Sequence, residues 1–221
     1  MSKAIKIRKG LNIRLKGKAE TEYREAPLSE VFAIKPTDFV AMTPKMVVKE
    51  GEEVKAGQTI FYDKYNDRIK FSSPVSGEIA EIVRGAKRRI MEVRILADKS
   101  NAYESFPTGN PNEMSREEVT EAMLSAGVWP LLRQRPFSTI ANPDDTPKAI
   151  VVPCTDTHPL APDNDFIIKG QGEAFQAGLD ALNKLTDGVV HLTMATNGVE
   201  KAQEFIKAHD LVNSTGYCLK N

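Results

Sequence analysis

The chain has 221 residues, of which 41% are hydrophobic and 27% are charged, as in an ordinary globular protein of one or two domains. The 30 lysines and arginines equal the 30 aspartates and glutamates, so the basic excess of a dedicated nucleic-acid-binding protein is missing. Every apolar run is far shorter than the roughly 18 residues of a membrane-spanning helix. Two cysteines, Cys154 and Cys218, build neither a disulfide framework nor a thiolate metal site.

The first hundred residues contain short segments with alternating polar and apolar residues, separated by turn residues. The segments predicted as strands are AIKI, LNIRL, EVFAI, MVV, TIFY, RIKF, GEIAEIV and IMEVRIL. Turns are indicated by EGEEVKAGQ, YNDR, SPVSG and RGAKRR. Many short strands with close turns predict an all-β sandwich or barrel over residues 1–100.

Within this region, residues 56–79 resemble the hairpin half of a biotinyl or lipoyl carrier domain. In such domains the carrier lysine lies eight residues before the proline that matches Pro74, and that position here is Asn66. We therefore expect Asn66 and Asp67 to form the hairpin tip, with Lys64 on the ascending arm. On this interpretation Lys64 carries no lipoyl or biotinyl group, and the module has a structural or docking role.

A second domain is predicted over residues 101–221, after the Pro/Gly/Asn-rich linker NAYESFPTGNPN. Ser115, followed three residues later by Glu118, is a capping box that predicts a helix ending at Gly127. KAIVVPC is typical of a buried parallel strand, and it is followed by the predicted helix GQGEAFQAGLDALNKLTDG, the strand VVHLTMA and the helix VEKAQEFIKAHD. This order predicts a partial Rossmann-like α/β domain and an α+β chain. Two parallel strands are too few for a finished sheet, so either an earlier segment supplies more or the chain is a fragment.

Four stretches together resemble the A subunit of the sodium-translocating NADH:quinone oxidoreductase, the NqrA family. They are KIRKGLNIRLKGKAE, the carrier-like module, LLRQRPFSTIANPDDTPKAIVV and DTHPLAPDNDFIIKGQGEAFQAGLDAL, between about residues 5 and 195. The most specific pieces are DTHPLAPD and RPFS. Residues 196–221 match the family poorly, and the β-grasp-like and helical regions that follow in the family are missing here.

The resemblance implies a bacterial inner-membrane respiratory complex that couples NADH oxidation and quinone reduction to sodium export. It implies a peripheral subunit on the cytoplasmic face, with the other subunits as partners, chiefly the membrane B subunit. It places FAD, FMN, riboflavin, iron–sulfur and quinone chemistry on other subunits, and leaves open whether quinone contacts this chain. The enzymatic activity therefore belongs to the complex, and we expect neither a catalytic residue nor a cofactor of its own in this chain.

The family is also similar to the flavin subunit of complex I and to the C subunit of the Rnf complex, where a glycine-rich loop wraps the FMN phosphate. The matching stretch here is SAGVWPLLRQRPFST, with Trp129 and Pro130 in place of glycines. A phosphate cradle needs closely approachable backbone N–H groups, and proline has none. We expect the scaffold of a flavin site without flavin. The alternatives are a flavin- or NADH-binding electron-transfer subunit of an Rnf-like complex and an acyl-carrier protein.

Two loops hold candidate ligand residues. Asp156 and His158 follow a predicted parallel strand, where α/β folds place ligands, and such a pair can perform acid–base chemistry; the alternative is a structured loop in which Asp156 accepts backbone hydrogen bonds. No metal site is expected, because third and fourth ligands are missing. Arg133 and Arg135 can bind a quinone headgroup or a phosphate, or alternatively pair with Asp144 or Asp145.

A basic cluster lies around the predicted turn RGAKRR. Its members are Arg84, Lys87, Arg88 and Arg89. The cluster either contacts acidic lipid headgroups or an acidic partner, or it is simply a solvated hairpin turn.

Overall fold

The computed structural model describes residues 3–6, 13, 15–17, 19–156, 158–195 and 217–220, with only the backbone described for 3–6, 194–195 and 217–220. The chain divides into two compact units, each described by itself below. The barrel unit consists of Ala26–Gly109 and Arg116–Asp145. The sheet unit consists of Met1–Glu25, Asn110–Ser115 and Thr146–Asn221, and the first strand, β1 (Lys3–Lys6), belongs to it.

The barrel unit is built from two antiparallel sheets. One has the order β2 (Val31–Ile34), β8 (Ile90–Ala97), β7 (Gly77–Arg84) and β4 (Glu53–Val54). The other has the order β3 (Pro44–Met46), β5 (Thr59–Asp63) and β6 (Asn66–Ser72). Alternate residues of these strands point inward, and the fully buried side chains are Ile60, Phe61, Ile79, Val93 and Ile95. The apolar alternation in the sequence marks most of this core, and the exception is the consecutive pair Ile60 and Phe61, where the register of β5 shifts.

The β5–β6 hairpin has a different tip from the predicted one. Asp63 is opposite Asn66, so the two-residue tip is Lys64–Tyr65, and the placement of Asn66 and Asp67 at the tip is wrong. The next pair is Tyr62 with Lys70, which leaves Asp67, Arg68 and Ile69 in a bulge of β6. Because a bulge lengthens one arm only, counting residues back from Pro74 misses the tip.

A helix and a short hairpin complete the barrel unit. Helix α1 (Arg116–Ser125) begins after Ser115 and ends before Gly127, whose φ is +70°, as predicted. It packs against β6 and buries Val119 and Leu124. A 3-10 turn at Trp129–Leu131 leads into β9 (Arg133–Gln134) and β10 (Thr139–Ile140), which pair in antiparallel fashion.

The sheet unit contains a parallel sheet with the order β1, β13 (Tyr217–Lys220), β12 (Val189–Ala195) and β11 (Ala149–Pro153). Between β11 and β12 lie the helices α2 (Asn164–Ile168) and α3 (Gly172–Lys184). The predicted βαβ segment is present at the expected positions. The core contains Cys154, Leu179, Val190 and Leu192.

The missing strands of this sheet come from the two ends of the sequence. β1 pairs in parallel with β13, with Lys3 opposite Tyr217, and β13 pairs in parallel with β12. The sequence pattern instead places AIKI in the barrel and predicts no element for GYCLKN. The predicted helix VEKAQEFIKAHD lies outside the described residues, and of the predicted strand LNIRL the two described residues, Ile13 and Leu15, are not in a strand.

The observed units therefore divide the chain differently from the predicted boundary near residue 100. The first strand joins the sheet unit because its hydrogen-bonding partner is β13. Helix α1 joins the barrel unit because its apolar side chains face β6. Contacts in the folded chain therefore decide to which unit β1 and α1 belong. The predicted boundary was instead drawn at a linker in the sequence, which carries no information about such contacts.

Candidate functional site

The arginine loop, residues 131–139, holds two of the predicted ligand residues. The Arg133 guanidinium lies over the ring of Phe39, 4.8 Å from its centroid, and Arg135 Nη1 donates to Ser138 Oγ at 2.8 Å. Both arginines are exposed, as are the apolar side chains of Leu131 and Phe137, at 72% and 77%. Cations beside exposed apolar groups suit a ligand with a polar headgroup and an apolar body.

The alternative ion pairing of these arginines with Asp144 or Asp145 does not occur in the structure. Asp144 Oδ1 instead accepts a hydrogen bond from Arg68 Nη1 at 2.8 Å, while Arg68 Nη2 donates to Glu121 Oε1 at 2.6 Å. These two carboxylates raise the pKa of Arg68, and the hydrogen bond to Glu121 has the larger effect. Asp145 Oδ1 accepts from Asn142 Nδ2 at 3.1 Å. Asp144 and Asp145 are thus engaged by other residues, and neither carboxylate offsets the positive charge of Arg133 and Arg135.

The stretch that matches a flavin phosphate loop is closed by its own hydrogen bonds. Trp129 is buried, and its Nε1 donates to the Ala141 carbonyl at 2.8 Å. The backbone N–H groups of Val128, Leu131 and Leu132 donate to chain carbonyls at 2.9–3.1 Å, and Pro130 has no N–H. Because those N–H groups are engaged within the chain, they do not form a cradle for an anion.

Asp156 and His158 lie together in the sheet unit, in the loop after β11. Asp156 Oδ1 accepts from the His158 backbone N–H at 2.9 Å and also contacts His158 Nδ1. The imidazole is 86% exposed. Nearby, Asp163 caps α2 by accepting from the N–H groups of Asp165 and Phe166. This geometry matches the structured-loop alternative, in which the carboxylates hold backbone groups.

A cavity of about 280 Å³ that the sequence did not indicate lies beside the carboxyl end of β11. Its lining is mostly apolar and includes Val152, Cys154, Asn164, Ile167, Ile168 and Phe175. The Asn164 amide donates to the Cys154 carbonyl at 3.4 Å. Burial raises the pKa of the Cys154 thiol to about 11, so this group is neither nucleophile nor ligand at neutral pH.

The predicted site residues thus fall into separate groups. Arg133 and Arg135 belong to the barrel unit, whereas Asp156 and His158 belong to the sheet unit. Phe39, which lies beneath Arg133, carries no signal in the sequence that would have identified it. Among the residues that the structure describes, no group of three or more His, Cys, Asp or Glu is placed to hold a metal ion. Within the same residues, no helix has the length and hydropathy needed to cross a membrane.

Comparison with known proteins matches both halves of the chain. Residues 5–98 match the NqrA N-terminal barrel-sandwich hybrid domain, and residues 114–213 match the NqrA second alpha/beta domain. Both matches confirm the predicted fold class, a barrel-sandwich hybrid followed by an α/β domain.

Several relatives that carry the same protein name align with most of this chain. The chain is 38% identical over 193 residues to the A subunit of the Na(+)-translocating NADH-quinone reductase of Yersinia pseudotuberculosis. It is 40% identical over 195 residues to the corresponding protein of Serratia proteamaculans and 40% over 193 residues to that of Neisseria gonorrhoeae. Each alignment covers 86% of this chain and 43% of the relative, so the chain spans less than half the length of these relatives. It belongs to the NqrA family, whose named relatives are A subunits of Na(+)-translocating NADH-quinone reductases.

Proposed function

We propose that this chain forms part of a peripheral subunit, without a redox cofactor of its own, of a complex that couples NADH oxidation and quinone reduction to sodium export. The proposed complex-level activity is supported by the names of the relatives, which are A subunits of Na(+)-translocating NADH-quinone reductases. The proposed location is the cytoplasmic face of the membrane, and the proposed partners are the other subunits, chiefly the membrane B subunit. Its role there is docking, with the arginine loop near the quinone site.

The observation that carries the cofactor-free role is the closed segment at residues 128–132. In a flavin-binding relative this segment would present free backbone N–H groups to a phosphate. Here the N–H groups of Val128, Leu131 and Leu132 are engaged, residue 130 is a proline, and the Trp129 side chain is buried. The backbone N–H groups of Val128, Leu131 and Leu132 are therefore not available to a phosphate, which supports a scaffold without flavin.

The proposal is tested on one natively purified sample by visible absorption and intact mass. We expect a colourless protein whose mass equals that of the unmodified chain, since neither a phosphate cradle nor a modified lysine is predicted. A flavin spectrum would establish the electron-carrier alternative instead. An added lipoyl or biotinyl mass would assign the acyl-carrier alternative, and the Lys64→Arg variant would show whether the group sits on the hairpin tip.

A further inference from the structure

The β7–β8 hairpin ends in a concentrated positive charge, here called the basic tip (residues 84–89). Its four cations are Arg84, Lys87, Arg88 and Arg89, and every residue from 84 to 89 is exposed. No carboxylate among the described residues forms an ion pair with any of the four. The whole chain has a net charge of zero, so this tip is a local excess within a neutral molecule.

The strands next to the tip do not neutralise it. Arg94 Nη1 lies 2.7 Å from Glu81 Oε2 and its Nε lies 3.0 Å from Glu92 Oε2, while Glu50 Oε1 accepts from the Ile82 N–H at 2.7 Å. Lys35 Nζ lies 3.6 Å from the other oxygen of Glu92. These three carboxylates are thus engaged by Arg94, Lys35 and a backbone N–H, and none of them forms an ion pair with the four cations of the tip.

The backbone of the tip gives these cations positions that Gly or Asn would occupy more easily. Lys87 and Arg88 have φ values of 54° and 59°, in the left-handed region that side chains with a β-carbon disfavour. The turn is closed by Gly85 N–H donating to the Arg89 carbonyl at 2.7 Å. The conformation of the turn therefore does not explain why residue 87 is a lysine and residue 88 an arginine. Their charges do not contribute to the Gly85–Arg89 hydrogen bond that closes the turn.

We propose that the basic tip docks the barrel unit onto a surface of anionic lipid headgroups. The inference rests on the proposed function, because a complex in a membrane brings this chain close to lipid. All four cations are exposed on one hairpin tip, and a layer of headgroups presents anions to every one of them at once. Each Lys or Arg near such a surface strengthens binding about fivefold, and salt screens the attraction.

Vesicle co-sedimentation with the purified full chain tests this proposal. The probes are phosphatidylcholine vesicles with and without phosphatidylglycerol, at low and at physiological salt. The test variant is Lys87→Asn with Arg88→Asn, because Asn tolerates the left-handed backbone and leaves the hairpin intact. The matched control is Lys64→Asn with Lys99→Asn, which removes the same charge from two exposed lysines outside the tip.

We expect salt-sensitive binding to the anionic vesicles only, weakened roughly 30-fold in the tip variant and much less in the control. Equal binding of the tip variant and the control, or no binding of the unchanged chain at low salt, would overturn the proposal. A soluble acidic polypeptide that competes as strongly, per charge, as the vesicles would assign the tip to an acidic protein partner instead. Failure of vesicle binding leaves the proposed cofactor-free role standing, since that role depends on the absorption and mass measurement.

Discussion

At the scale of single residues, Cys154 is enclosed by Leu179, Val190 and Leu192 in the core of the sheet unit. Burial raises the pKa of its thiol to about 11, whereas an unfolded cysteine titrates near about 8.5. The folded state therefore retains the proton that the unfolded state loses. The contribution to stability is complete below about pH 8.5 and is lost as the pH rises toward 11.

We expect Cys154 to be inert to thiol reagents in the folded protein. At pH 8 the thiolate fraction is about one in a thousand when the pKa is about 11, roughly 200-fold below that of an unfolded cysteine. The measurement is labelling in the Cys218→Ser variant, so that only Cys154 reacts, with and without denaturant. The Cys154→Ser variant is the control for reaction at Cys218. Rapid labelling of Cys154 under native conditions at pH 8 would contradict its buried state.

Residue contacts divide into those that a sequence predicts and those that only a fold creates. The Asp156 bond to the His158 N–H follows from two positions in one loop, and the sequence predicts it as the structured-loop alternative. Arg68 bound to Glu121 and Asp144, and Phe39 beneath Arg133, join distant segments. Their pairing depends on how α1 and the arginine loop pack onto the barrel, which local patterns do not encode.

At the scale of elements, the arginine loop is held by the short β9–β10 pair and by a bridge from Thr139 to Val40. This arrangement exposes Leu131 and Phe137 beside two cations that lack a carboxylate partner among the described residues. The chain has one tryptophan, Trp129, which lies two residues before the start of the loop. Its indole is buried and donates to the Ala141 carbonyl, so we expect its fluorescence to respond to a ligand that alters this part of the chain.

Titration with a short-chain quinone is expected to quench Trp129 fluorescence saturably if the loop lies at a quinone site. The Arg133→Gln, Arg135→Gln variant should weaken that binding about tenfold or more, because two charge-assisted donors are lost. The Lys64→Gln, Lys99→Gln variant removes equal charge elsewhere and should titrate like the unchanged chain. Linear quenching, identical in all three proteins, would mean collision only and would remove the loop from the proposed quinone site.

The sequence predicted where most of the strands and helices lie, but it did not predict how the strands of the β5–β6 hairpin pair. The hydrophobic period located β5 to β8, β11, β12, α1 and α3, because burial on one face leaves a regular pattern. The hairpin tip at Lys64 and Tyr65 was missed, since the bulge in β6 adds residues without altering composition. The prediction that Lys64 is unmodified thus loses its positional argument and depends on the mass measurement alone.

At the scale of the whole molecule, the chain crosses between its two units more than once. β1 lies in the sheet unit, Ala26–Gly109 in the barrel unit, and Thr146–Asn221 again in the sheet unit. The sequence pattern places β1 in the barrel because strand segments follow one another closely there. Parallel pairing between segments at opposite ends of a sequence leaves no local signature, so only the fold identifies it.

Deletion of residues 1–6 distinguishes the two assignments. We expect faster amide hydrogen exchange at Tyr217–Lys220, because β13 loses its partner β1 and becomes an edge strand. The amides of Ile79 and Val93 in the barrel core should exchange as slowly as before. Loss of protection in β7 and β8 with unchanged exchange in β13 would instead assign the first strand to the barrel.

The pairing of β1 with β13 also sets an order of events during synthesis. Tyr217 follows its partner Lys3 by more than 200 residues, so at about 5–20 residues per second roughly 10 to 40 s separate their synthesis. The barrel unit ends at Asp145 and can fold on the ribosome within that interval. The parallel sheet cannot close until β13 has been made, and until then β1 is an unpaired strand with a lysine at each end, which disfavours premature association.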